Sequence, residues 1–253
     1  MALVIHNELT ALPYERTKWA ESAPTVELLG WVYETFGKSA AFGTAFGKEG
    51  CALIDLSIRN DFHFDFFTLD TGYFFTETHK LWRDIEDRYS IKIRGVRPEL
   101  DIAAQEAKYG ANLYERDSDS CCYLRKVKPL DDALKGKRAW LTGLRREQSP
   151  TRSQSPVLQW DSDRNLVKVN PLAGWTTSEL EDYIKANDVL TNPLHEQGYP
   201  SIGCHPCTSP VQEGEDERAG RWRGTQKTEC GLHVGKPSSA GQKRLTVLPG
   251  GQP

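Results

Sequence analysis

The sequence lacks the features of a nucleic-acid-binding protein or a membrane protein. Its formal net charge is −3, so the chain has no overall basic field to attract nucleic acid or an anionic membrane surface. No apolar run approaches the length of a membrane span, and residues 1–8 lack the charged-then-apolar order of a signal peptide. We therefore expect a cytoplasmic protein with no nucleic acid and no membrane among its partners. The oligomeric state is left open, and a homo-oligomer is compatible with the sequence.

Cysteine is sparse, with six residues in a chain of 253. In a reducing compartment such thiols act as metal ligands or in redox chemistry more often than as structural disulfides. A chain of this length can bury one sizeable core. We expect one α/β domain with a C-terminal tail rather than two independent domains.

Apolar strand-like segments alternate with helical ones along most of the chain. Residues 8–36 carry helical apolar spacing, which Gly37 ends. Strands that alternate with helices of this length predict right-handed βαβ crossovers and a parallel sheet. The predicted strands are 40–46, 64–69, 91–96 and 138–142, with an edge hairpin formed by 157–160 and 166–169. The predicted helices include 51–58, 77–89, 99–109 and one opened by a capping box at Thr176.

Three polar loops follow predicted strands, and ligands of parallel α/β sheets bind at such strand ends. The loop at 47–50 exposes backbone N–H groups suited to a phosphate, although most turns of this kind exist for packing. The loop at 143–152 is rich in arginine, which is as well suited to anion binding as to a solvated face. We predict that these loops and the one at 69–72 bind substrate. The residues concerned are Gly47, Leu69, Asp70, Thr71, Gly72 and Arg145.

Four of the cysteines form two pairs that a fold could bring together. Cys121 and Cys122 are adjacent, whereas Cys204 and Cys207 form a CxxC motif in a loop rich in proline and glycine. Adjacent cysteines form a disulfide only with strain and fit a zinc knuckle poorly. The spacing favours an iron–sulfur cluster over zinc, with paired disulfides third. Cys51 lies in an apolar run, where we expect a core residue.

Cys230 stands apart from these pairs, in the segment Lys-Thr-Glu-Cys-Gly-Leu-His that begins at Lys227. A thiol acts as a nucleophile only as thiolate, and nearby cationic groups favour that form. The alternative is a surface cysteine with no role near the end of the chain. Because the other cysteines are accounted for, Cys230 is the candidate reactive centre.

Six short motifs follow one another along the chain. They are Leu-Asp-Thr-Gly from residue 69, Cys-Cys-x-x-Arg-Lys from 121, Thr-Gly-x-Arg-Arg-x-Gln-Ser from 142, Ile-Gly-Cys-x-Pro-Cys-Thr from 202, Gly-Arg-Trp from 220 and Lys-x-Glu-Cys-Gly-Leu-His from 227. Together they resemble the assimilatory adenylylsulfate and phosphoadenylylsulfate reductases of the iron–sulfur-containing type. The resemblance spans roughly residues 40–235.

This resemblance implies a fold and a set of roles. The fold would be a parallel twisted sheet with flanking helices, of the adenine nucleotide alpha hydrolase-like, PP-loop type. We expect a helical segment at 1–38, the α/β reductase domain at 39–224 and a flexible tail at 225–253 that is disordered beyond Val234. A [4Fe–4S] cluster would be bound by Cys121, Cys122, Cys204 and Cys207, and Cys230 would be catalytic. The residues implied to bind the phosphosulfate are Lys126, placed between cluster and substrate, and Arg218, Arg221 and His233.

The implied activity is thioredoxin-dependent reduction of adenosine 5'-phosphosulfate to sulfite and AMP through a Cys230 S-sulfonate. Reduction takes two electrons, and only Cys230 is free once four cysteines hold a cluster and Cys51 is buried. A second thiol must therefore come from reduced thioredoxin or glutaredoxin. By resemblance, four cluster cysteines accompany use of the substrate without a 3'-phosphate.

Three alternatives remain open. The substrate could be 3'-phosphoadenosine 5'-phosphosulfate. A PP-loop nucleotide-activating enzyme would need an intact Ser-Gly-Gly-x-Asp-Ser loop, which this chain lacks. A noncatalytic iron–sulfur or zinc protein would have no use for the segment around Cys230.

The phosphate loop here departs from the reductase pattern, with Phe46 in place of a hydroxyl residue and Gly50 in place of an acid. Backbone N–H groups are then expected to bind the phosphate.

Overall fold

The structure, a computed structural model, describes residues 12–233. The expectations for residues 8–11 and for the disorder beyond Val234 lie outside these residues. Within them, no helix is long and apolar enough to cross a bilayer.

One six-stranded sheet organises the described part of the chain. Its strands are β1 (Ala40–Thr44), β2 (Asp65–Leu69), β3 (Arg94–Val96), β4 (Ala139–Leu141), β5 (Leu158–Asp161) and β6 (Leu166–Val169). The order across the sheet is β3-β2-β1-β4-β6-β5, and only the pairing of β5 with β6 is antiparallel. The predicted parallel sheet and its edge hairpin are therefore confirmed.

Helices connect the strands and flank the sheet. They are α1 (Tyr14–Ser22), α2 (Thr25–Phe36), α3 (Lys48–Arg59), α4 (Thr76–Tyr89), α5 (Ile102–Tyr109), α6 (Leu113–Arg116), α7 (Ser118–Cys122), α8 (Lys128–Ala133) and α9 (Thr177–Ala186). The predicted capping box of α9 is present, with Thr176 and Glu179 exchanging hydrogen bonds. The helix predicted from residue 99 begins later, because the Asp101 side chain caps it by accepting a hydrogen bond from the Ala104 N–H at 2.8 Å.

Apolar side chains fill both faces of the sheet, because successive residues of a strand point to opposite sides. In β1, Ala40 and Phe42 belong to the larger core, beneath helices α2, α3, α4 and α9. Ala41, between them, belongs to the smaller core on the other face, where Leu130 of α8 packs. Cys51 is buried in the larger core, as predicted, and burial raises the pKa of its thiol.

The chain leaves the middle of the sheet in two directions. From β1 it continues outward through β2 and β3, and it then returns to β4 on the other side of β1. The carboxyl ends of β1 and β4 therefore form a switch point, where loops diverge and leave a crevice. Residues after Thr44, Leu69 and Leu141 surround this crevice.

Candidate active site

A pocket of about 200 Å³ lies at this switch point. Its walls come from the loops after β1, β2 and β4, from a loop at 200–204 and from the segment that carries Cys230. Of the predicted substrate residues, seven line it: Gly47, Leu69, Thr71, Lys126, Arg218, Arg221 and His233. Cys230 lines it as well.

The loop after β1 leads into the N-terminus of α3, whose first N–H groups have no partner within the helix. Phe46 adopts φ 59° and is fully buried, with its ring stacked on Trp82 at a centroid distance of 5.8 Å. Its side chain thus belongs to the core, and the loop presents backbone to the pocket. A Cβ on Gly50 would lie 2.5 Å from the Thr44 hydroxyl oxygen, so this turn has no room for a side chain there. Both departures from the reductase loop are explained by packing.

The loop after β2 divides its residues between the pocket and the fold. Asp70 does not line the pocket, and its carboxylate accepts hydrogen bonds from Arg97 at 3.0 Å and from the Gly72 N–H at 3.2 Å. Gly72 is also outside the lining and has φ 75°, where a side chain would meet Arg125. The Thr71 hydroxyl lies 3.4 Å from the Cys204 sulfur. Asp70 and Gly72 therefore shape the turn, whereas Thr71 connects it to the cysteine pair.

Arg145 lies behind the pocket wall and does not line it. Only 1% of its surface is exposed, and its guanidinium donates to Glu49 at 2.9 Å and to Glu147 at 3.4 Å. Glu217 lies 3.7 Å away on another side. Three carboxylates therefore neutralise this arginine, and a direct contact between Arg145 and the substrate stays a prediction. The sequence could not indicate this neutralisation, since Glu49 and Glu217 are remote in the chain.

The two cysteine pairs meet at a second, smaller cavity beside the first. Cys121, Cys122, Cys204 and Cys207 all line it. Burial raises the pKa of Cys121 to about 12, and the neighbouring thiols add to the shift. Burial and the other thiols likewise raise the pKa of Cys207 to about 11. All six cysteines are free thiols, and among residues 12–233 no group of three or more Cys, His, Asp or Glu side chains has the geometry to hold a single metal ion.

Lys126 lines both cavities. It lies in a π-helical turn, Tyr123–Val127, directly after the tandem cysteines. Burial alone would lower the pKa of this ammonium, but Cys204, Cys230 and Cys122 raise it above its ordinary value. The lysine is thus a cation that faces both the cavity of the four cysteines and the pocket that contains Cys230.

The segment around Cys230 packs against the domain through several side chains. Lys227 donates to Asp119 at 2.6 Å and to the Ser118 carbonyl at 3.0 Å. Leu232 packs on the smaller core, and the His233 ring stacks on Trp140 with an interplanar angle of 4°. These contacts hold residues 227–233 over the carboxyl ends of the strands.

The thiol of Cys230 is more acidic than an ordinary cysteine. Burial would raise its pKa, but Lys126, a hydrogen bond from the Leu232 backbone and Arg221 outweigh it and leave the pKa below the ordinary value. Burial lowers the pKa of His233 well below its usual range, and Lys168 and Arg152 add to this, so its imidazole is neutral. The thiolate of Cys230 is therefore favoured beside a neutral His233.

Several polar atoms of the pocket have no partner among the described residues. The Nε atoms of Arg218 and Arg221 are buried without an acceptor, and so is Nδ1 of His233. Arg221 passes close to Gly203, where a Cβ would lie 2.2 Å from its guanidinium. Buried donors of charged groups are rarely left unpaired. The pocket is therefore built to receive an anion.

Two residues that line the pocket, Arg152 and Trp140, were not found from the sequence. Two more that lie beside it were also missed: Glu229, which binds Arg152, and Lys168, which donates to the His233 carbonyl. Arg152 was part of the arginine-rich loop, but nothing in that loop distinguished it from Arg145. Glu229 directly precedes Cys230 in the sequence. A carboxylate beside a thiolate disfavours that thiolate, so the sequence already indicated that a cation should pair with Glu229. Lys168 interrupts the apolar strand β6, and such a break marks a polar site on a strand.

A mostly parallel α/β sheet with an anion pocket at its switch point is typical of nucleotide-binding proteins. Comparison with known proteins makes this specific. Residues 39–210 match the phosphoadenosine phosphosulfate reductase domain. The chain belongs to this family.

Relatives and solved structures agree with this assignment. An adenosine 5'-phosphosulfate reductase of Oceanobacillus iheyensis is 47% identical over 82% of this chain and 87% of its own length. A phosphoadenosine 5'-phosphosulfate reductase of Gloeobacter violaceus is 44% identical over 89% and 94%. The crystal structure of the phosphoadenylyl-sulfate reductase of Candida auris superposes with a TM-score of 0.69 at 28% identity, covering 79% of this chain and 98% of that one. The ATP complex of a Candida glabrata FMN adenylyltransferase, with a TM-score of 0.53 at 15% identity over 90% and 79%, shares the fold alone.

Proposed function

We propose that this protein reduces adenosine 5'-phosphosulfate to sulfite and AMP in sulfate assimilation, with Cys230 as the nucleophile. The observation that carries the proposal is the pairing of an acidified thiol with unpartnered arginine donors in one pocket. The thiol supplies a nucleophile and the arginines require an anion. Curated relatives at 44–47% identity carry the name adenosine 5'-phosphosulfate reductase.

The reaction balances in two steps. The Cys230 thiolate attacks the sulfate sulfur, a sulfur–sulfur bond forms, the bond from that sulfur to the bridging oxygen breaks, and AMP leaves with the bonding pair. Cys230 then carries an S-sulfonate. A thiolate of reduced thioredoxin or glutaredoxin attacks the Cys230 sulfur, and sulfite leaves with the electron pair of the sulfur–sulfur bond. The donor's second thiol resolves the mixed disulfide, so the donor supplies both electrons.

The charged residues of the pocket act on the anion. Arg218 and Arg221 each have a buried Nε free to donate to a sulfate or phosphate oxygen. Lys126 neutralises charge near Cys230, which favours both the thiolate and the approach of a dianion. The N-terminus of α3 offers backbone N–H groups to the nucleotide phosphate. Once Cys230 is a thiolate, no other residue of the pocket must change its charge for the first step.

We also propose that the four cysteines lining the smaller cavity hold a [4Fe–4S] cluster. They are all thiols, they come from two separate segments, and they face one another across one cavity. A cluster has several irons, so that adjacent cysteines can bind different ones. When bound, it would supply a fixed charge distribution beside Lys126. Both electrons of the reaction come from thiols, so the proposed chemistry needs no change in its redox state.

The substrate with a 3'-phosphate is the alternative, since the Gloeobacter relative carries that name at 44% identity. Sulfite release from both nucleotides, with reduced thioredoxin as donor, separates the two. Activity confined to the nucleotide that carries the 3'-phosphate would reverse the assignment.

The nucleophile is tested with Cys230→Ser. This variant is expected to bind AMP as the wild type does and to release no sulfite, because a serine hydroxyl is not ionised at neutral pH. The wild type, incubated with adenosine 5'-phosphosulfate and no donor, is expected to gain the mass of one sulfonate on the peptide that contains Cys230. Thioredoxin should then remove it. A sulfonate mapped to Cys51, or turnover by Cys230→Ser, would refute the mechanism.

A further inference from the structure

The smaller cavity, which the four clustered cysteines line, also contains a tyrosine whose hydroxyl has no partner. Tyr73 lines this cavity beside Cys121, Cys122, Cys204 and Cys207. Only 8% of its surface is exposed, and its hydroxyl has no hydrogen-bond partner among residues 12–233. Burying a hydroxyl without a hydrogen bond costs free energy, and native proteins seldom leave such a group unpaired. The hydroxyl therefore indicates an acceptor that binds in this cavity.

The ring of Tyr73 is held in place by two neighbours. It packs edge-on against Tyr114, with the ring centroids 5.5 Å apart, and the guanidinium carbon of Arg125 lies 5.1 Å from its centroid. Arg125 is itself fixed, because it donates to the Thr71 carbonyl at 2.5 Å and to the Gln105 side chain at 2.8 Å. These contacts fix the position of the ring and, with it, the position of the hydroxyl.

The backbone of Tyr73 is joined to the loop of the second cysteine pair. Its carbonyl accepts a hydrogen bond from the His205 N–H at 2.7 Å. Its own N–H donates to the Thr71 hydroxyl at 3.2 Å, and that hydroxyl lies 3.4 Å from the Cys204 sulfur. Tyr73 also shares one small apolar cluster with Cys121 and Cys204. The tyrosine is therefore placed by the same contacts that place the cysteines.

The phenol of Tyr73 is a hydrogen-bond donor at neutral pH. Burial raises its pKa, and Cys121 raises it further, so the phenol and this thiol interact. Cysteine sulfurs and sulfides of an iron–sulfur cluster accept hydrogen bonds. A second unpartnered donor, the indole N–H of Trp222, lines the same cavity. The cavity thus offers donors to an acceptor bound within it.

We propose that the Tyr73 hydroxyl donates a hydrogen bond to a sulfur atom of the cluster, and that this bond slows the loss of iron. The inference rests on the cluster proposed above, since the acceptor belongs to it. A hydrogen bond withdraws electron density from the sulfur that accepts it, and contacts of this kind tune and stabilise metal sites.

Tyr73→Phe tests the proposal, because it removes the donor and keeps the ring that contacts Tyr114 and Arg125. The iron–sulfur stretching bands of the purified iron-containing protein are measured by resonance Raman spectroscopy in water and in deuterium oxide. In the variant we expect the bands of the iron–cysteine bonds to move to higher frequency, because the sulfur binds iron more strongly once the hydrogen bond is lost. Part of the shift between the two solvents should also disappear.

The rate of iron release is the second measurement. Iron is removed with bathophenanthroline and followed by absorption. Tyr73→Phe should release iron about tenfold faster than the wild type, since outer contacts of a metal site typically contribute about ten- to a hundredfold in metal affinity. The affinity for AMP should be unchanged, because Tyr73 does not line the larger pocket. If the variant is isolated without iron, anaerobic reconstitution with iron and sulfide restores the cluster for the Raman measurement.

Tyr114→Phe is the matched control. Tyr114 lines the same cavity, but its hydroxyl already donates to the Asn112 side chain at 3.2 Å. This variant should keep the Raman bands, their shift between the two solvents and the rate of iron release of the wild type. Equal effects in both variants would assign them to the packing of the cavity wall and refute the role of the Tyr73 hydroxyl.

Two further results would overturn the proposal. One is a Tyr73→Phe protein whose Raman bands and solvent shifts match those of the wild type, and the other is release of its iron at the wild-type rate. Either result, in a protein that contains iron and acid-labile sulfide, refutes the role of Tyr73 and leaves the cluster assignment standing. A wild type without iron and sulfide refutes the cluster itself and this role with it.

Discussion

The reactivity of Cys230 depends on a balance between burial and nearby cations. Burial favours the neutral thiol, whereas Lys126 and Arg221 favour the thiolate. The balance leaves the pKa of Cys230 below its ordinary value, although Glu229 opposes the shift. Lys126 is therefore expected to favour the thiolate of Cys230 as well as the binding of an anion.

Replacement of Lys126 by methionine should weaken this nucleophile. With the cation gone, burial is less opposed, so the pKa of Cys230 rises and a smaller fraction is thiolate at neutral pH. The pH at which iodoacetamide modification of Cys230 reaches half its maximum should move upward by about one unit or more. Lys128→Met is the control, since Lys128 is exposed and pairs with Glu99 on the surface. An unchanged midpoint in Lys126→Met would place the acidifying charge elsewhere.

Arg218→Ala and Arg221→Ala should weaken binding of adenosine 5'-phosphosulfate. Each removes a buried donor that has no acceptor in the protein, and a hydrogen bond to a charged group contributes about 1.5–3 kcal/mol, or about ten- to a hundredfold in affinity. Calorimetry with the Cys230→Ser protein measures this without turnover. Arg223→Ala is the control, because Arg223 pairs with Glu215 at the surface. Equal losses in all three variants would indicate a general field rather than contacts.

At the scale of elements, the π-helical turn Tyr123–Val127 orients two cations differently. Arg125 is buried and donates to the Thr71 carbonyl at 2.5 Å and to Gln105 at 2.8 Å. Lys126, the next residue, faces the two cavities. Extra turns of this kind occur often at functional sites. Here it places the lysine between the tandem cysteines and Cys230.

Strand β6 carries a buried cation. Lys168 has 4% of its surface exposed, lies 5.4 Å from the Trp140 ring centroid and donates to the His233 carbonyl at 3.3 Å. Burial lowers its pKa to about 8. The charged form of Lys168 is therefore disfavoured in the folded protein, whereas in the unfolded chain this lysine stays protonated up to a higher pH.

This pKa predicts a pH-dependent contribution of Lys168 to stability. Between about pH 8 and the ordinary lysine pKa of about 10.4, the unfolded chain binds the proton and the folded chain does not, so the free energy of unfolding rises with pH. Below pH 8 the cost of burying the charge is fully present. Relative to Lys168→Met, the wild type should gain stability from pH 8 to 10 in urea denaturation. Lys92→Met, at an exposed lysine, should show no such difference, and a flat difference for Lys168→Met would contradict the shift.

The sequence predicted the elements and the strand-end loops, because apolar periodicity and turn residues are local signals. It also predicted the two cysteine pairs and Lys126, which motifs identify. It could not predict which arginine of the loop after β4 faces the pocket. Arg145 is neutralised by Glu49 and Glu217, and Arg152 by Glu229, and these pairings depend on contacts between distant parts of the chain. The packing of Leu232 and His233 on Trp140 was missed for the same reason.

At the scale of the whole molecule, the four clustered cysteines join two segments about eighty residues apart. Cys122 ends helix α7, and Cys204 lies in a loop whose His205 N–H donates to the Tyr73 carbonyl at 2.7 Å. The small apolar cluster that contains Cys121 and Cys204 includes Tyr73 and Leu113 and is separate from both sheet cores. With so little apolar surface of its own, this region should depend for its stability on the cluster proposed above.

The purified protein should therefore contain iron and acid-labile sulfide, and its stability should depend on them. Thiolate ligands on both segments would connect parts of the chain that pack only weakly on each other. The free energy of such metal binding contributes directly to folding, because the unfolded chain has no preformed site. Cys204→Ser should lose the iron and the brown colour and should lower the melting temperature, whereas Cys51→Ala should keep the iron because Cys51 lies in the sheet core. Iron and sulfide analysis, visible absorption and calorimetric melting measure these effects. An active protein that contains zinc and no sulfide, or a Cys204→Ser protein with full iron content, would refute the cluster assignment.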